Sequence, residues 1–341
     1  MNSASPQNVE GLHFCYENVN DSCIKFIRST SSQCALYIIC ISAVLITILG
    51  NLMVVISVAH FRVLHSPTNI LVLSLAAVDF LLGVLILPFS TIRSIETCWY
   101  FGDDFCRLHT CLDSIICLVS IFHLCFISVD RYYAICDPLH YKTKVTISVV
   151  CISIVTSWIF SVVYSSVWLY SDILEGHISH IMLKTYCTGS CQLVVNKIWG
   201  WIFFPVFFIP CSIMILLYVK IYFVAQKQNR IIEATLSSDQ KGFQLRASKR
   251  ERKAAKTLGI AVGVYLICWL PFMFDTIIDP FLPSSTPQLL YDVLFWFPYF
   301  NSACNPLIYG FFYPWFRKSL KLIATCKIFY SASSAINLYQ E

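Results

Sequence analysis

The sequence predicts an all-α membrane protein: a bundle of seven transmembrane helices followed by a short amphipathic helix. The chain has 341 residues, of which 57% are hydrophobic and only 13% charged, whereas a soluble domain carries about 25% charged residues. Seven stretches approach or exceed the ~20 apolar residues that a helix needs to cross a membrane. Because a helix satisfies its own backbone hydrogen bonds in lipid, each stretch is predicted to be helical.

Charged residues are nearly absent from the seven predicted spans. Five of them contain no Asp, Glu, Lys or Arg: residues 34–58, 145–170, 198–219, 257–274 and 293–312. The second span, 68–92, contains Asp79, and the third span, 108–129, contains Asp113. The predicted organisation is an amino-terminal segment (1–33), a seven-span domain (34–312), and an amphipathic helix with a tail (313–341), which leaves no separate soluble domain.

The distribution of basic residues predicts the orientation. Assigning the loops to alternate sides places 18 of the 24 Lys and Arg on one side, and such loops face the cytoplasm. The amino terminus is then extracellular, the amphipathic helix is cytoplasmic, and Asn20 in Asn20-Asp21-Ser22 is an acceptor for glycosylation. Residues 1–33 contain no apolar signal-peptide core, so the first span is expected to direct insertion. The basic run 249–256 is interpreted as a stop signal that contacts anionic lipid, and a dedicated partner surface is the alternative. The net charge of +5 does not indicate a nucleic-acid site.

The cysteines divide into two groups. Six of the 17 fall in predicted outer segments: Cys15, Cys23, Cys98, Cys106, Cys187 and Cys191. An even number in an oxidising compartment predicts three disulfides, but six cysteines allow 15 pairings and the spacing does not choose among them. Most of the others lie within spans as small packing residues. Cys326 follows the amphipathic stretch and is a candidate for palmitoylation.

Two carboxylates at membrane depth are the first candidate functional groups, because buried charges are costly and tend to mark function. Asp113, Cys117 and Ser120 follow helical spacing and share one face of the third span. Asp79 has no basic residue in another span to pair with, so it is expected to take up a proton or recruit a cation. Asn301 and Asn305 of the seventh span are its predicted neutral partners.

Aromatic residues and prolines complete the pattern. Four rings, Trp269, Phe272, Trp296 and Tyr299, are expected to converge near Asp113. A carboxylate surrounded by rings is how proteins hold ammonium groups. Pro210, Pro271 and Pro306 interrupt the last three spans, where each frees a backbone carbonyl and permits a bend. Bends in neighbouring helices suit a bundle with two conformations.

Short motifs occur in order along the chain. They are Gly50-Asn51, Leu75-Ala76-Ala77-Val78-Asp79, Asp130-Arg131-Tyr132, Trp158, Cys268-Trp269-Leu270-Pro271 and Asn305-Pro306-Leu307-Ile308-Tyr309. This set resembles the rhodopsin-like receptors, over essentially the whole chain beyond residue 33. Residues 98–102, 120–125 and 312–318 look more narrowly like the trace-amine-associated receptors. Asp113 stands where aminergic receptors keep the Asp that binds the amine.

The resemblance implies a role for each matching residue. The ligand site would contain Asp113, Trp269, Phe272, Tyr299 and Trp296. A sodium ion that stabilises the inactive state would be held by Asp79, Ser120, Asn301 and Asn305. A cytoplasmic lock and G-protein contact would comprise Asp130, Arg131, Tyr132, Glu251 and Tyr309. The implied disulfides are Cys106–Cys191, Cys15–Cys187 and Cys23–Cys98. No other cofactor or metal is expected.

Two departures from the family pattern bear on the ligand. Tyr265 replaces the usual Phe of the core connector. Ile202, Phe203 and Val206 stand where catecholamine receptors have serines, and the fifth span has no second carboxylate for a diamine. The expected function is therefore a plasma-membrane receptor for small volatile or biogenic monoamines that activates a stimulatory or olfactory G protein and raises cyclic AMP.

Other functions fit less well. A serotonin- or histamine-type neurotransmitter receptor is the alternative within receptors. A transporter is the distant alternative, but the chain shows no inverted repeat of broken helices. A retinal protein would need a Lys in the seventh span, and an enzyme would need a nucleophile, base or metal cluster. The predicted partners are an amine, a heterotrimeric G protein and membrane lipid.

Overall fold

The structure is a computed structural model that describes residues 13–179, 187–191, 197–235, 238–281, 286–330 and 333–339. Within its helices, the side chains at 168, 170–179, 197–203, 229, 231–235, 238–255, 258, 280 and 288 lie outside the described part. The described residues form α1 Thr30–His60, α2 Pro67–Leu85, α3 Leu87–Glu96, α4 Asp103–Cys136, α5 Pro138–Lys144, α6 Ile147–Ser179, α7 Lys197–Thr235, α8 Ser238–Ile278, α9 Gln288–Phe312 and α10 Pro314–Ala324. No strand occurs in these ranges, only two isolated β-bridges.

These helices correspond to the seven predicted spans. In chain order the spans are α1, α2 with α3, α4, α6, α7, α8 and α9, while α5 is a connection. Six stretches combine the length and hydropathy needed to cross a membrane: Thr30–His60, Pro67–Glu96, Asp103–Cys136, Ile147–Val167, Phe204–Gln228 and Gly259–Ile278. The seventh span, α9, has 25 residues but falls outside that hydropathy-based set. Its polar residues Asn301, Ser302 and Asn305 are buried inside the bundle.

Two local features explain how the spans are shaped. The second span is broken at Ile86, between α2 and α3, because Pro88 cannot donate the backbone hydrogen bond of the next turn. The first and seventh spans touch closely, since a Cβ on Gly50 would lie 2.6 Å from Cγ of Pro306. At the same level Nδ2 of Asn51 donates to the Ser302 carbonyl over 3.0 Å. The Gly50-Asn51 motif therefore joins two spans.

The apolar side chains form two groups, one buried in the core and one exposed on the outside of the bundle. One buried cluster includes Leu75, Leu124 and Tyr309, and a second includes Leu82 and Val119. Large apolar side chains on the outside are exposed, as lipid contact requires; they include Ile152, Val163 and Leu216. The amphipathic helix α10 buries Trp315 and Phe316 and exposes Arg317 and Lys321.

The disulfides gather at one end of the bundle, which we call the disulfide end; the opposite end, which holds Arg131, is the Arg131 end. The bonds are Cys15–Cys98, Cys23–Cys187 and Cys106–Cys191, with Cα–Cα distances of 5.7, 4.8 and 5.7 Å. The structure thus joins Cys106 to Cys191 as the resemblance implied. The implied pairs Cys15–Cys187 and Cys23–Cys98 are wrong, because the two amino-terminal cysteines exchange partners.

Backbone contacts explain the exchange. The amide of Cys23 donates to the Thr188 carbonyl over 3.0 Å, which places Cys23 beside Cys187. The amide of Cys15 donates to the Cys23 carbonyl over 2.8 Å, and Trp99 donates to Gly189 over 2.8 Å. Both amino-terminal cysteines therefore lie within one small turn against the same loop, and either pairing satisfies the sequence spacing.

Candidate functional site

A part-buried carboxylate lies on the third span towards the disulfide end. The Tyr299 hydroxyl donates to Oδ2 of Asp113 over 2.8 Å, and Sγ of Cys117 lies 3.5 Å from Oδ1. Tyr299 is 3% exposed. Its hydroxyl also lies 3.4 Å from Oγ of Ser90, which in turn lies 3.4 Å from Nε2 of His109. A polar network from three spans thus fixes the carboxylate, and sequence reasoning found only Tyr299 among its partners on other spans.

The predicted aromatic residues do not all face this carboxylate. The rings of Phe272 and Tyr299 are connected through Phe295, with centroids 5.7 and 5.1 Å apart. Trp296 also contacts the Tyr299 ring, with centroids 5.6 Å apart, but its Nε1 is directed to the second span, where it donates to Oγ of Ser94 over 3.0 Å. The sequence analysis did not predict Phe295 at this site. Its spacing of four residues from Tyr299 was the available signal.

The other predicted ring, Trp269, belongs to a stack deeper in the bundle. Its centroid lies 5.8 Å from that of Tyr265 and 5.9 Å from that of Phe207. Tyr265 is 1% exposed, so the replacement of the usual Phe by Tyr falls inside the core. The stack joins the fifth and sixth spans. Val206 is part-buried, while the side chains of Ile202 and Phe203 lie outside the described residues.

Basic residues contact the site from the disulfide end. The guanidinium of Arg93 lies 4.5 Å above the Phe295 ring and donates to the Cys191 carbonyl over 3.0 Å. Arg28 of the amino-terminal segment forms an ion pair with Asp292 of the seventh span, with 2.8 Å between Nη2 and Oδ2. The amino-terminal segment and the Cys191 loop are therefore tied to the mouth of the site.

A second ion pair ties the amino-terminal segment to the second span. Nζ of Lys25 lies 3.2 Å from both Oε2 of Glu96 and the Tyr100 hydroxyl. The hydrogen bonds that Lys25 donates, first to the Tyr100 hydroxyl and then to the Glu96 carboxylate, hold the pKa of Lys25 above its ordinary value. Lys25 therefore stays charged at neutral pH.

A second, deeper carboxylate lies between the second and seventh spans. Asp79 is 1% exposed; its Oδ1 accepts from Oγ of Ser302 and its Oδ2 accepts from Nδ2 of Asn305, each over 2.7 Å. Ser302 was not predicted, although it is three residues before Asn305 on the same face. Among the described residues, Oδ1 of Asn301 and Oδ1 of Asn305 are buried without a hydrogen-bond partner.

A small cavity lies between the deeper carboxylate, Asp79, and residues that contact Asp113. It has a volume of about 10 Å³, which holds about one water or small ion. Its lining includes the polar residues Asp79, Ser120, Asn301 and Ser302, together with Cys117, Trp269 and Tyr299. Oxygen atoms of carboxylate, amide and hydroxyl groups are ligands for hard cations. The residues present therefore fit a sodium ion.

At the Arg131 end, an ion pair is held by hydroxyl groups. Nε of Arg131 donates to Oδ2 of Asp130 over 2.8 Å, and Thr68 donates to the same carboxylate oxygen over 2.8 Å. Tyr141 of α5 donates to Oδ1 of Asp130 over 2.9 Å. Burial raises the pKa of the Tyr141 hydroxyl above its ordinary value, so it remains a donor. Sequence reasoning found the pair but not Thr68 or Tyr141.

The remaining predicted residues occupy varied positions. Tyr309 is 1% exposed inside the core, and the Tyr132 ring lies 5.0 Å from Nζ of Lys220. The side chain of Glu251 lies outside the described residues. Asn20 is exposed in the amino-terminal segment, and Cys326 is exposed just after α10. These two positions are accessible to modification.

The fold and the polar sites are those of a known class of membrane protein. Residues 50–309 match the family model of the 7 transmembrane receptor (rhodopsin family). That family comprises receptors and not enzymes.

Comparison with similar proteins identifies the group within this family. The chain is 53% identical over 328 residues to human (Homo sapiens) trace amine-associated receptor 5, covering 96% of each chain. It is 48% identical over 333 residues to trace amine-associated receptor 9 of Mus musculus, covering 97% of this chain and 96% of the relative. It is 50% identical over 337 residues to trace amine-associated receptor 8a of Rattus norvegicus, covering 97% of each. The chain therefore belongs to the trace amine-associated receptors.

Proposed function

We propose that this protein is a multi-pass plasma-membrane receptor that binds small monoamines and activates a heterotrimeric G protein. The observation that carries the proposal is the Asp113 carboxylate, held by Tyr299 and accompanied by Phe295 and Phe272. A charged acceptor with rings beside it suits an ammonium group, which pairs with the carboxylate while its alkyl groups pack on ring faces. The names of its relatives associate them with trace amines.

The orientation in the membrane is part of the proposal. The disulfide end is proposed to be extracellular, because disulfides form in oxidising compartments. The exposed Asn20 lies at that end, in the amino-terminal segment that carries Cys15 and Cys23. The side that carries 18 of the 24 Lys and Arg, including those of α10, then faces the cytoplasm. The Arg131 end is accordingly the proposed docking site of the G protein.

The ligand is proposed to be a small, apolar monoamine. Asp113 supplies one negative charge, and the fifth span has Ile202, Phe203 and Val206 where a catechol would need hydroxyl partners. Burying a ligand hydroxyl without a partner costs about 1–3 kcal/mol, which weakens binding by roughly tenfold to a hundredfold. A diamine would bury its second ammonium without a carboxylate on the fifth span.

The proposed mechanism is a shift between two conformations of the bundle. The amine binds the active conformation more tightly, the Arg131–Asp130 pair opens, and the G protein docks. In the inactive conformation Asp79, Ser120, Asn301 and Asn305, together with Ser302, would hold a sodium ion. The ion supplies a positive charge to the buried Asp79 and to the unpaired amide oxygens. No other cofactor is proposed.

A cyclic-AMP reporter assay in cells expressing the receptor tests the proposal. Tertiary alkyl monoamines are expected to raise cyclic AMP, at half-maximal concentrations about tenfold or more below those of dopamine, noradrenaline and putrescine. The rise indicates a stimulatory or olfactory G protein. An agonist that lowers cyclic AMP contradicts the coupling, and a lower half-maximal concentration for a catecholamine or a diamine contradicts the ligand class.

A further inference from the structure

Beyond α10, the chain turns back and packs against the Arg131 end of the bundle. Two short 3-10 turns, Lys327–Phe329 and Ser333–Ala335, lead to Leu338, which is 2% exposed. Leu338 belongs to the same buried apolar cluster as Phe61 and Leu64, which follow the first span. We call residues 333–339 the carboxyl-terminal segment and the surface that it covers the tail-docking surface.

Specific polar contacts accompany this packing. Oγ of Ser333 lies 2.9 Å from Nε2 of His60, the last residue of α1, and donates to the Ile328 carbonyl over 2.6 Å. Nζ of Lys318 on α10 donates to the Asn337 carbonyl over 3.4 Å. In contrast, Phe329, which precedes the segment, is 85% exposed. The packing is therefore specific to residues 333–339, because the apolar side chain of Phe329 in the same tail is left exposed.

The carboxyl-terminal segment ends close to the candidate G-protein site. Tyr313, between α9 and α10, and Ile336 of the segment both pack against the buried apolar cluster that contains Leu338. The segment therefore lies beside α10, at the Arg131 end of the bundle. A protein that docks around Arg131 and α10 would meet the segment at this place.

We infer that the tail-docking surface is a binding site for the chain's own carboxyl-terminal segment, and that the docked segment competes with the G protein for the Arg131 end. The inference rests on the proposed function, because it takes the Arg131 end to be the coupling site. A short tether gives the segment an effective concentration of about 1 mM, so weak contacts keep it docked. If nine receptors in ten are docked, the apparent affinity for the G protein falls about tenfold.

Substitution in the full-length receptor tests the competition. Purified receptor in nanodiscs is titrated with stimulatory G-protein heterotrimer in the absence of agonist. The rate of nucleotide exchange is measured at each step, and the heterotrimer concentration that gives half of the maximal rate is determined. Leu338→Asp places a charge in an apolar site, releases the segment and is expected to lower that concentration by about threefold to tenfold. Phe329→Asp is the matched control, because the same change falls on an exposed side chain; no change is expected. Equal concentrations for Leu338→Asp and wild type overturn the competition.

A peptide of residues 333–341, labelled with a fluorophore, tests the docking surface without any G protein. It is expected to bind the Leu338→Asp receptor, as measured by anisotropy, and to restore the wild-type heterotrimer concentration. The same peptide carrying Leu338→Asp is expected to do neither. Absence of peptide binding overturns the docking surface. If no variant promotes nucleotide exchange, the proposed coupling fails, while peptide binding still decides whether the surface exists.

Discussion

Asp113→Asn is the most direct perturbation of the proposed ligand site. Asparagine has nearly the shape of aspartate and keeps an oxygen that can accept from the Tyr299 hydroxyl, now 2.8 Å from Oδ2. The substitution therefore removes the charge and little of the packing. An amine that pairs with Asp113 loses its counter-ion, whereas the rings of Phe272 and Phe295 still contact its alkyl groups.

The expected size of the effect follows from the burial of the ion pair between the amine and Asp113. Leaving a buried, hydrogen-bonded charge without its partner costs about 2–5 kcal/mol. Asp113 is part-buried, so we take about 2–4 kcal/mol. At about 1.4 kcal/mol per factor of ten, the half-maximal amine concentration rises roughly 30-fold to 700-fold.

The assay is a cyclic-AMP dose–response curve in cells with matched surface expression. Asp104→Asn is the control, since it removes the same charge from an exposed position near the start of the same helix. Surface charges contribute about 1 kcal/mol or less, so the control is expected to change the half-maximal concentration by about fivefold at most. A change of similar size for Asp113→Asn refutes the ion pair and, with it, the proposed ligand site.

Three other predictions concern the proposed sodium site, the Arg131–Asp130 ion pair and the disulfides. Raising sodium is expected to lower agonist affinity, and Asp79→Asn is expected to abolish the dependence; a dependence that survives in this variant places the ion elsewhere. Tyr141→Phe removes a hydrogen bond to the charged Asp130, worth about 1.5–3 kcal/mol, and is expected to raise agonist-free cyclic AMP several-fold; Thr143→Val, exposed on the same short helix, is the control, and equal basal signals contradict the lock. Peptide mapping without reduction is expected to recover Cys15 joined to Cys98 and not to Cys187.

Sequence patterns predicted the features that depend on one helix. The length and hydropathy of the spans predicted the bundle of seven helices, because each span has these properties independently of the others. The alignment of Asp113, Cys117 and Ser120 on one face also follows from helical periodicity alone. The short motifs then located Asp79, Asn305 and Arg131 by resemblance. Each of these residues lies where the spacing placed it, on the expected helix.

Contacts between elements were harder to predict. Trp296 and Phe295 are neighbours in sequence, and only the rotation of the seventh helix decides which ring joins Phe272 and which packs on Ser94. The disulfide partners depend on the path of the turn that brings Cys15 and Cys23 to one loop. Neither the rotation of a helix nor the path of a loop has a periodic signature in the sequence.

The arrangement of the polar groups gives a physical reason for ligand and ion to act on each other. Tyr299 donates to Asp113 and also lines the small cavity beside Asp79, and Ser302, three residues further along, donates to Asp79. Both carboxylates are thus bound by the same face of the seventh span. A movement of this span that suits an amine at Asp113 changes the distances at Asp79. Since coupling between two sites is reciprocal, an amine that weakens the proposed ion at Asp79 would itself be weakened by that ion, by the same factor.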